Sequence, residues 1–180
     1  MSEAGTPSVA FIAVGSNIKP EENIVAALKA LKRAVRVSAS STFYRTEPLG
    51  ARAQPTFING VWQIETALSP AQVRNDALKP IESRLGRLHT GDKFAPRTID
   101  LDLVLYDALV VDEIGLTLPH PDIKRPFVCG PVFELLTDPS SQIEPRLRTA
   151  IEVLLPTDRQ NRTPGDPLED FTRELRGLLD

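Results

Sequence analysis

Cysteine is almost missing from this sequence of 180 residues, which has Cys129 alone. One cysteine excludes an internal disulfide framework and fits a reducing compartment, so we expect a cytoplasmic protein. No apolar run is long enough to cross a bilayer, and residues 1–7 do not show the basic and then apolar pattern of a secretory leader. The sequence therefore predicts no membrane segment.

Excess charge of one sign is also missing. The net charge is −3, and acidic and basic residues are interspersed along the chain. Nucleic acid and anionic membranes are recruited by extended basic surfaces, which this distribution does not provide. Any anion-binding site must therefore be built locally, and neither nucleic acid nor a membrane is expected as a partner.

The hydrophobic content of 41% is sufficient for a buried core, and the length predicts a single domain over residues 1–180. Strands are predicted at 8–14, 37–45, 57–66 and from 99 onward, and helices from Pro20 and from Ser69-Pro70, the second kinked by Pro80. This order predicts an α+β fold, a ferredoxin-like βαββαβ sandwich with an antiparallel sheet. A short hairpin follows, then helices at 131–136, around 147–154 and at 168–178, with a polar linker at 156–167. We expect the helices of the sandwich to cover one sheet face and leave the other for a site.

The stretch 93–106 contains the clearest chemical pattern. Ile99, Leu101, Leu103 and Leu105 alternate, which predicts a strand with one aliphatic face, while Asp100 and Asp102 share the opposite face. Their Cβ atoms should lie roughly 6.5–7 Å apart, close enough to bind magnesium ions jointly with phosphate oxygens. Arg97, just before the pair, could bind the same anion. Taken alone, however, the pattern is equally consistent with a solvent-facing strand that happens to carry two aspartates.

Longer motifs resolve this ambiguity by resemblance. The central motif consists of Lys93, Ala95, Pro96, Arg97, Asp100, Leu101, Asp102, Leu103 and Val104. Three further stretches, 11–17, 43–50 and 118–121, agree with it in order and spacing. Over about residues 9–136 the chain resembles the 6-hydroxymethyl-7,8-dihydropterin pyrophosphokinases, enzymes of folate biosynthesis that move pyrophosphate from ATP to a pterin alcohol and release AMP.

The resemblance implies a role for each candidate residue. Two Mg²⁺ ions would be held by Asp100 and Asp102, and these carboxylates with Arg87 and Arg97 would form the catalytic group. The co-substrate ATP would contact Glu82, Arg87, His89, Arg97, His120 and Arg125. The pterin would contact Thr46, Glu47, Leu49, Phe57, Asn59 and Phe127, with the Asn59 carboxamide donating to and accepting from the ring edge and Phe127 stacking on its face. We also expect a monomer.

The sequence departs from familiar members of that family in places. His89 stands where relatives often have arginine, Phe94 replaces a frequent tryptophan, Phe57 replaces a frequent tyrosine, and the interval from His120 to Arg125 is one residue shorter. Because a histidine titrates near neutral pH, we expect ATP binding to weaken as pH rises through the titration of His89. The extension at about 148–180 has no family role and is interpreted as packing.

Two other functions remain open at this point. One is a different magnesium-dependent small-molecule kinase or phosphohydrolase, which the nucleotide product would distinguish. The other is a ligand-binding or regulatory module without catalysis, in which Asp100 and Asp102 would be dispensable.

Overall fold

A computed structural model describes residues 6–49, 53–88, 92, 95–156 and 164–179. Its strands are Ser8–Ser16 (β1), Arg36–Ser40 (β2), Tyr44–Thr46 (β3), Phe57–Thr66 (β4), Asp100–Tyr106 (β5), Val111–Glu113 (β6), Leu116–Leu118 (β7) and Asp166–Pro167 (β8). Its α-helices are Pro20–Leu31 (α1), Pro70–Gln72 (α2), Lys79–Arg84 (α3), Pro126–Thr137 (α4), Pro145–Leu154 (α5) and Glu169–Gly177 (α6). A π-helical segment, Val73–Leu78, joins α2 to α3, and 3-10 turns occupy Pro121–Lys124 and Pro139–Ser141.

The main sheet is antiparallel, with the order β5-β1-β4-β3-β8 and with β2 also paired to β4. This arrangement confirms the predicted α+β fold. The predicted second strand at 37–45 is split, because residues 41–43 leave the ladder between β2 and β3. The predicted hairpin is the separate pair β6 and β7.

One sheet face is covered by α1, the helical stretch from α2 to α3, and α6. Alternate residues of the strands, such as Ile12, Trp62 and Leu103, pack there against Leu28 of α1 and Leu175 of α6. The sequence explains α1 because Pro20 fits a first helical position, acidic residues occupy the first turn, and the buried side chains recur every three or four positions. Before Pro80, the π-helical segment is the irregularity that the proline predicted.

The second face is only half covered. Helices α4 and α5 pack on its far half, where Phe11, Val61 and Val104 meet Val132 and Leu135. The expectation that helices would cover one face alone is therefore wrong for this half, and the other half stays open.

Two boundaries differ from the sequence prediction. Helix α4 begins at Pro126, five residues before the predicted start at 131, because Pro126 rather than Pro131 takes the first helical position after the extended Arg125. Residues 166–167, predicted as linker, form β8 instead. The predicted final helix is confirmed as α6. Within the described ranges, no helix combines the length and the apolar character needed to span a membrane.

A β-bulge interrupts the alternation of β5. Phe11 pairs with Leu105 while its neighbour Ile12 pairs with Leu103, so Val104 is an extra residue without a partner on β1. Leu105 consequently packs in the second core with Val104, not in the first core where strict alternation placed it. Leu101 and Leu103 do lie in the first core as predicted.

Candidate active site

A cavity of about 490 Å³ opens on the uncovered half of the second face. Most of the residues that the sequence singled out line it, namely Thr46, Glu47, Leu49, Phe57, Asn59, Arg97, Asp100, Asp102, His120, Arg125 and Phe127. They come from β3 and the segment after it, from β4, from β5 and the segment before it, and from the chain between His120 and the first turn of α4. The fold therefore brings together residues that are far apart in sequence.

Small residues of β1 form the floor of this cavity. The strand register places Gly15 between Asp100 of β5 and Asn59 of β4, and places Ala13 beside Asp102. A Cβ on Gly15 would lie 2.6 Å from Oδ1 of Asn59, so only glycine fits there without displacing the amide. The absence of a side chain keeps the acidic end and the amide end of the cavity connected.

Asp100 is embedded in arginines. One carboxylate oxygen accepts from Arg87 Nη1 and the other from Arg97 Nη1. Arg87 also donates to Glu82, which accepts a second hydrogen bond from Leu101 N at 2.9 Å. Burial disfavours the charge on Arg87, but Asp100 and Glu82 outweigh it and raise the pKa of Arg87. The result is a connected chain of alternating charges, with Arg97 and Asp100 at the cavity and Arg87 and Glu82 behind them.

Asp102 is in a different electrostatic situation. Burial, and then repulsion from Asp100, raise the pKa of Asp102 to about 6, although the nearby His120 acts in the opposite direction. None of the described residues forms an ion pair with its carboxylate. A largely buried carboxylate without a cationic partner is a group that a bound cation would stabilise.

The histidine segment is fixed to β5 through the bulge. His120 N donates to the carbonyl oxygen of Val104 at 3.0 Å, and His120 Nδ1 accepts from Asp122 N at 3.2 Å. Since Nδ1 acts as an acceptor, the neutral ring carries its proton on Nε2. The imidazole thus keeps a donor available.

Arg125 is aimed by two neighbours. Its Nε donates to Asp122 Oδ1 at 2.6 Å, and its guanidinium carbon lies 5.8 Å from the centre of the Phe127 ring. This is a cation–π contact, which favours a fixed orientation of the charge. Arg125 therefore connects the basic part of the cavity with its aromatic part.

On the other side of the floor, Asn59 Nδ2 donates to Thr46 Oγ1 at 2.6 Å. Thr46 pairs with Phe57 across the strands, and the two line the cavity together with Asn59. The carboxamide nitrogen faces the hydroxyl, and its oxygen is on the side of Gly15. Phe57 and Asn59 line the cavity, whereas Ile58 and Trp62 on the opposite sheet face are buried in the first core.

Some predicted residues lie behind the cavity or outside the described ranges. Glu82 and Arg87 do not line the cavity; Glu82 is 4% exposed and supports Arg87. The expectations for His89 and Phe94 concern residues outside the described part of the chain.

Sequence reasoning missed a supporting role for Asn17. Its Oδ1 accepts from Arg97 N at 2.7 Å, and its Nδ2 donates to Pro55 O at 3.2 Å and to Gln54 Oε1 at 3.3 Å. It joins the end of β1 to the segments that precede β4 and β5. The available signal was an asparagine directly after a buried strand. Asp122, three residues before Arg125, was missed in the same way.

An antiparallel α+β sandwich with an acidic pair, several arginines and an aromatic-amide wall in one cavity has the features of an enzyme acting on a phosphorylated small molecule. The family model described as 7,8-dihydro-6-hydroxymethylpterin-pyrophosphokinase (HPPK) matches residues 11–137. The chain belongs to this family, which confirms the resemblance found in the sequence.

Curated relatives agree with the family assignment. The chain is 41% identical over 141 residues to the 2-amino-4-hydroxy-6-hydroxymethyldihydropteridine pyrophosphokinase of Haemophilus influenzae, covering 74% of this chain and 87% of the relative. With the protein of the same name from Pseudomonas aeruginosa it shares 37% identity over 162 residues, 86% of this chain and 96% of the relative. The folic acid synthesis protein fol1 of Schizosaccharomyces pombe is 40% identical over 140 residues, which are 76% of this chain but 19% of that longer protein.

Proposed function

We propose that this protein transfers pyrophosphate from ATP to 6-hydroxymethyl-7,8-dihydropterin and releases AMP, a step of folate biosynthesis. The observation that carries the proposal is the row formed by Asp100, Gly15 and Asn59, which connects an acidic end to an amide end across one open floor. Family membership specifies the pair of substrates. Transfers of this kind depend mainly on in-line positioning and charge neutralisation.

Asp100 and Asp102 are the residues we propose for two Mg²⁺ ions. Carboxylate oxygens are the ligands that magnesium prefers, and the uncompensated Asp102 fits this role. Asp100 already accepts from two arginines, but a carboxylate offers about four lone-pair sites and retains capacity for an ion. In the described ranges no three acidic, histidine or cysteine side chains cluster as a complete ligand set, so phosphate oxygens and water must supply the remaining ligands. When bound, the ions would neutralise phosphate charge and make the pterin alcohol more acidic.

The arginines and His120 act on the triphosphate. Arg97, His120 and Arg125 line the cavity, and Arg87 reaches it through Asp100. As guanidinium groups bind phosphate oxygens in a bidentate fashion, Arg87 and Arg97 can exchange their contacts with Asp100 for contacts with phosphate. His120 donates from Nε2. Glu82 keeps Arg87 in place, and we propose that its effect on ATP is exerted through Arg87.

The opposite end holds the pterin. Asn59 offers an oriented carboxamide to the ring edge, and the segment with Thr46, Glu47 and Leu49 supplies further edge contacts. Phe57 and Phe127 provide aromatic surface for the flat ring. Stacking and edge contacts together orient the hydroxymethyl group towards the acidic end.

Incubation with ATP, Mg²⁺ and 6-hydroxymethyl-7,8-dihydropterin, followed by separation of the nucleotides, tests the proposal. We expect AMP and the pterin diphosphate in equal amounts. ADP as the product would identify an ordinary kinase, and inorganic phosphate without pterin consumption a phosphohydrolase. Binding of the pterin without turnover would identify a ligand-binding module.

We further propose that the enzyme acts as a cytoplasmic monomer. The lone Cys129 is buried and suits a reducing compartment. Light scattering after size-exclusion chromatography should give a mass near 19.8 kDa. A mass twice as large would contradict this assignment.

A further inference from the structure

The segment 164–179 lies beyond the residues that the family model matches, yet it forms one edge of the main sheet. Strand β8 pairs with β3, so that Tyr44 faces Pro167 and Arg45 faces Asp166. Strand β3 ends at Thr46, which holds the Asn59 carboxamide in the proposed pterin half of the site. One strand thus separates the C-terminal segment from the cavity.

Helix α6 and Leu168, the residue before it, provide hydrogen-bond partners for backbone groups at and after the end of β2. Phe43 N donates to Thr172 Oγ1 at 2.9 Å, and Leu168 N donates to Phe43 O at 2.8 Å. Arg176 Nε donates to Ser40 O at 3.0 Å. Residues 41–43 leave the ladder, so the N–H and the carbonyl of Phe43 take their partners from the C-terminal segment.

Aromatic packing strengthens the same attachment. The Phe43 ring lies 5.9 Å from the Phe171 ring in an edge-to-face arrangement and 6.0 Å from the Trp62 ring. Phe43 is fully buried, and Phe171 is 8% exposed. The start of β3 is therefore fixed by both polar and apolar contacts from α6.

Gly165 brings the segment directly against Thr46. Its φ of +140° is a conformation that favours glycine. A Cβ there would lie 2.3 Å from Arg45 O and 3.2 Å from Thr46 Cγ2. No residue larger than glycine fits without moving β3 or detaching β8.

We propose that the segment 164–179 is a positioning element for the pterin half of the site, a role that rests on the proposed function. It fixes β3, so that Thr46 holds the Asn59 carboxamide in the orientation that recognises the pterin edge. Its residues do not line the cavity. Loss of the attachment should weaken binding of the pterin while the nucleotide end, on β5 and after His120, is unaffected.

Calorimetry with two ligands tests this inference. The dissociation constant of 6-hydroxymethyl-7,8-dihydropterin is measured in the presence of a non-hydrolysable ATP analogue and Mg²⁺, and that of the analogue is measured alone. For Gly165→Ala we expect about tenfold weaker pterin binding, and for Thr172→Val about threefold to fivefold, since one buried donor loses its acceptor. Analogue binding should stay within about twofold of wild type in both.

Thr172→Ser and Tyr106→Phe are the matched controls. Thr172→Ser keeps the hydroxyl that accepts from Phe43 N and should restore pterin binding to within about twofold of wild type. Tyr106→Phe removes a hydrogen bond of 2.8 Å to Leu68 O outside this attachment and should lower the melting temperature without changing pterin binding.

The outcomes separate the two levels of the proposal. If wild type forms AMP and binds the pterin, but Gly165→Ala and Thr172→Val are folded and bind it like wild type, the positioning role is wrong and the proposed function stands. Equal weakening of pterin and analogue binding would also overturn the positioning role. A wild type that binds no pterin would overturn both.

Discussion

The open and the covered halves of the second sheet face are built on the same three strands, but their side chains differ. In the covered half, Phe11, Val61 and Val104 are fully buried against α4 and α5. Towards the other end of these strands, Gly15, Asn59 and Asp100 occupy the same face and border the cavity. Backbone pairing continues through both halves.

The difference shows that the sheet provides position and the side chains decide between packing and chemistry. Large apolar residues attract the helices because burying them stabilises the fold. Small and charged residues offer no large apolar surface for a helix to pack on, and the charges would be costly to bury completely. The comparison predicts that changes in the open half mainly alter catalysis, and changes in the covered half mainly alter stability.

Asp102→Ala should have the largest effect, a loss of turnover of several hundredfold or more with folding retained. The reason is that the magnesium ions, which neutralise the phosphate charge, lose a protein ligand. AMP formation under saturating ATP and Mg²⁺ measures it. Asp112→Ala, an exposed acidic residue of β6, is the control and should keep wild-type turnover. Unchanged turnover in Asp102→Ala would refute the metal assignment.

Leu135→Ala should show the opposite behaviour. Leu135 is fully buried in the covered half, so truncation should lower the free energy of unfolding by about 2–5 kcal/mol. Urea titration measures the loss, and kcat and both KM values at low temperature should remain near wild type. A selective change in kcat in the folded variant would show that the two halves are coupled.

Gly15→Ala tests the floor of the cavity. Its new Cβ would displace Asn59 Oδ1, so we expect about a tenfold rise in the KM for the pterin with a smaller change in the KM for ATP. Gly177→Ala is a fair control, because nothing lies within 4 Å of a Cβ at that glycine. Equal pterin KM values for Gly15→Ala and wild type would contradict the proposal that the Asn59 carboxamide recognises the pterin.

The smallest expected effect is a pH dependence of stability without metal. Because the pKa of Asp102 is raised in the folded state to about 6, its stabilising contribution is present at low pH and is lost as pH rises through that value. Asp102→Asn should therefore be more stable than wild type by about 1–2 kcal/mol near pH 7.5, and the difference should shrink towards pH 5. Urea unfolding in a chelating buffer measures it, and a difference independent of pH would contradict the assignment.

Much of the architecture follows from local patterns in the sequence. Alternation placed Leu101 and Leu103 in one core, with Asp100 and Asp102 on the other side. Helical spacing predicted α1 and α6. These features depend on neighbours in sequence, so the chain alone specifies them.

Other features depend on contacts between distant segments. Leu105 lies in the second core and not in the first because of the bulge opposite β1. Residues 166–167 form a strand because β3 has a free edge on the side away from β4. Asn17 supports Arg97 only because the fold brings the end of β1 close to the segments that precede β4 and β5. No periodicity within one segment contains this information.

Val104, which has no partner on β1, is not needed for the orientation of the side chains that follow it, but its carbonyl holds the histidine segment. Deleting Val104 would restore simple alternation, with Leu105 and Tyr106 still facing the cores they now occupy. What the shortened strand would lose is the carbonyl that accepts from His120 N. A single inserted residue thus connects His120 to the acidic strand through one backbone hydrogen bond. A shorter strand could keep both cores filled, but His120 would lose that hydrogen bond.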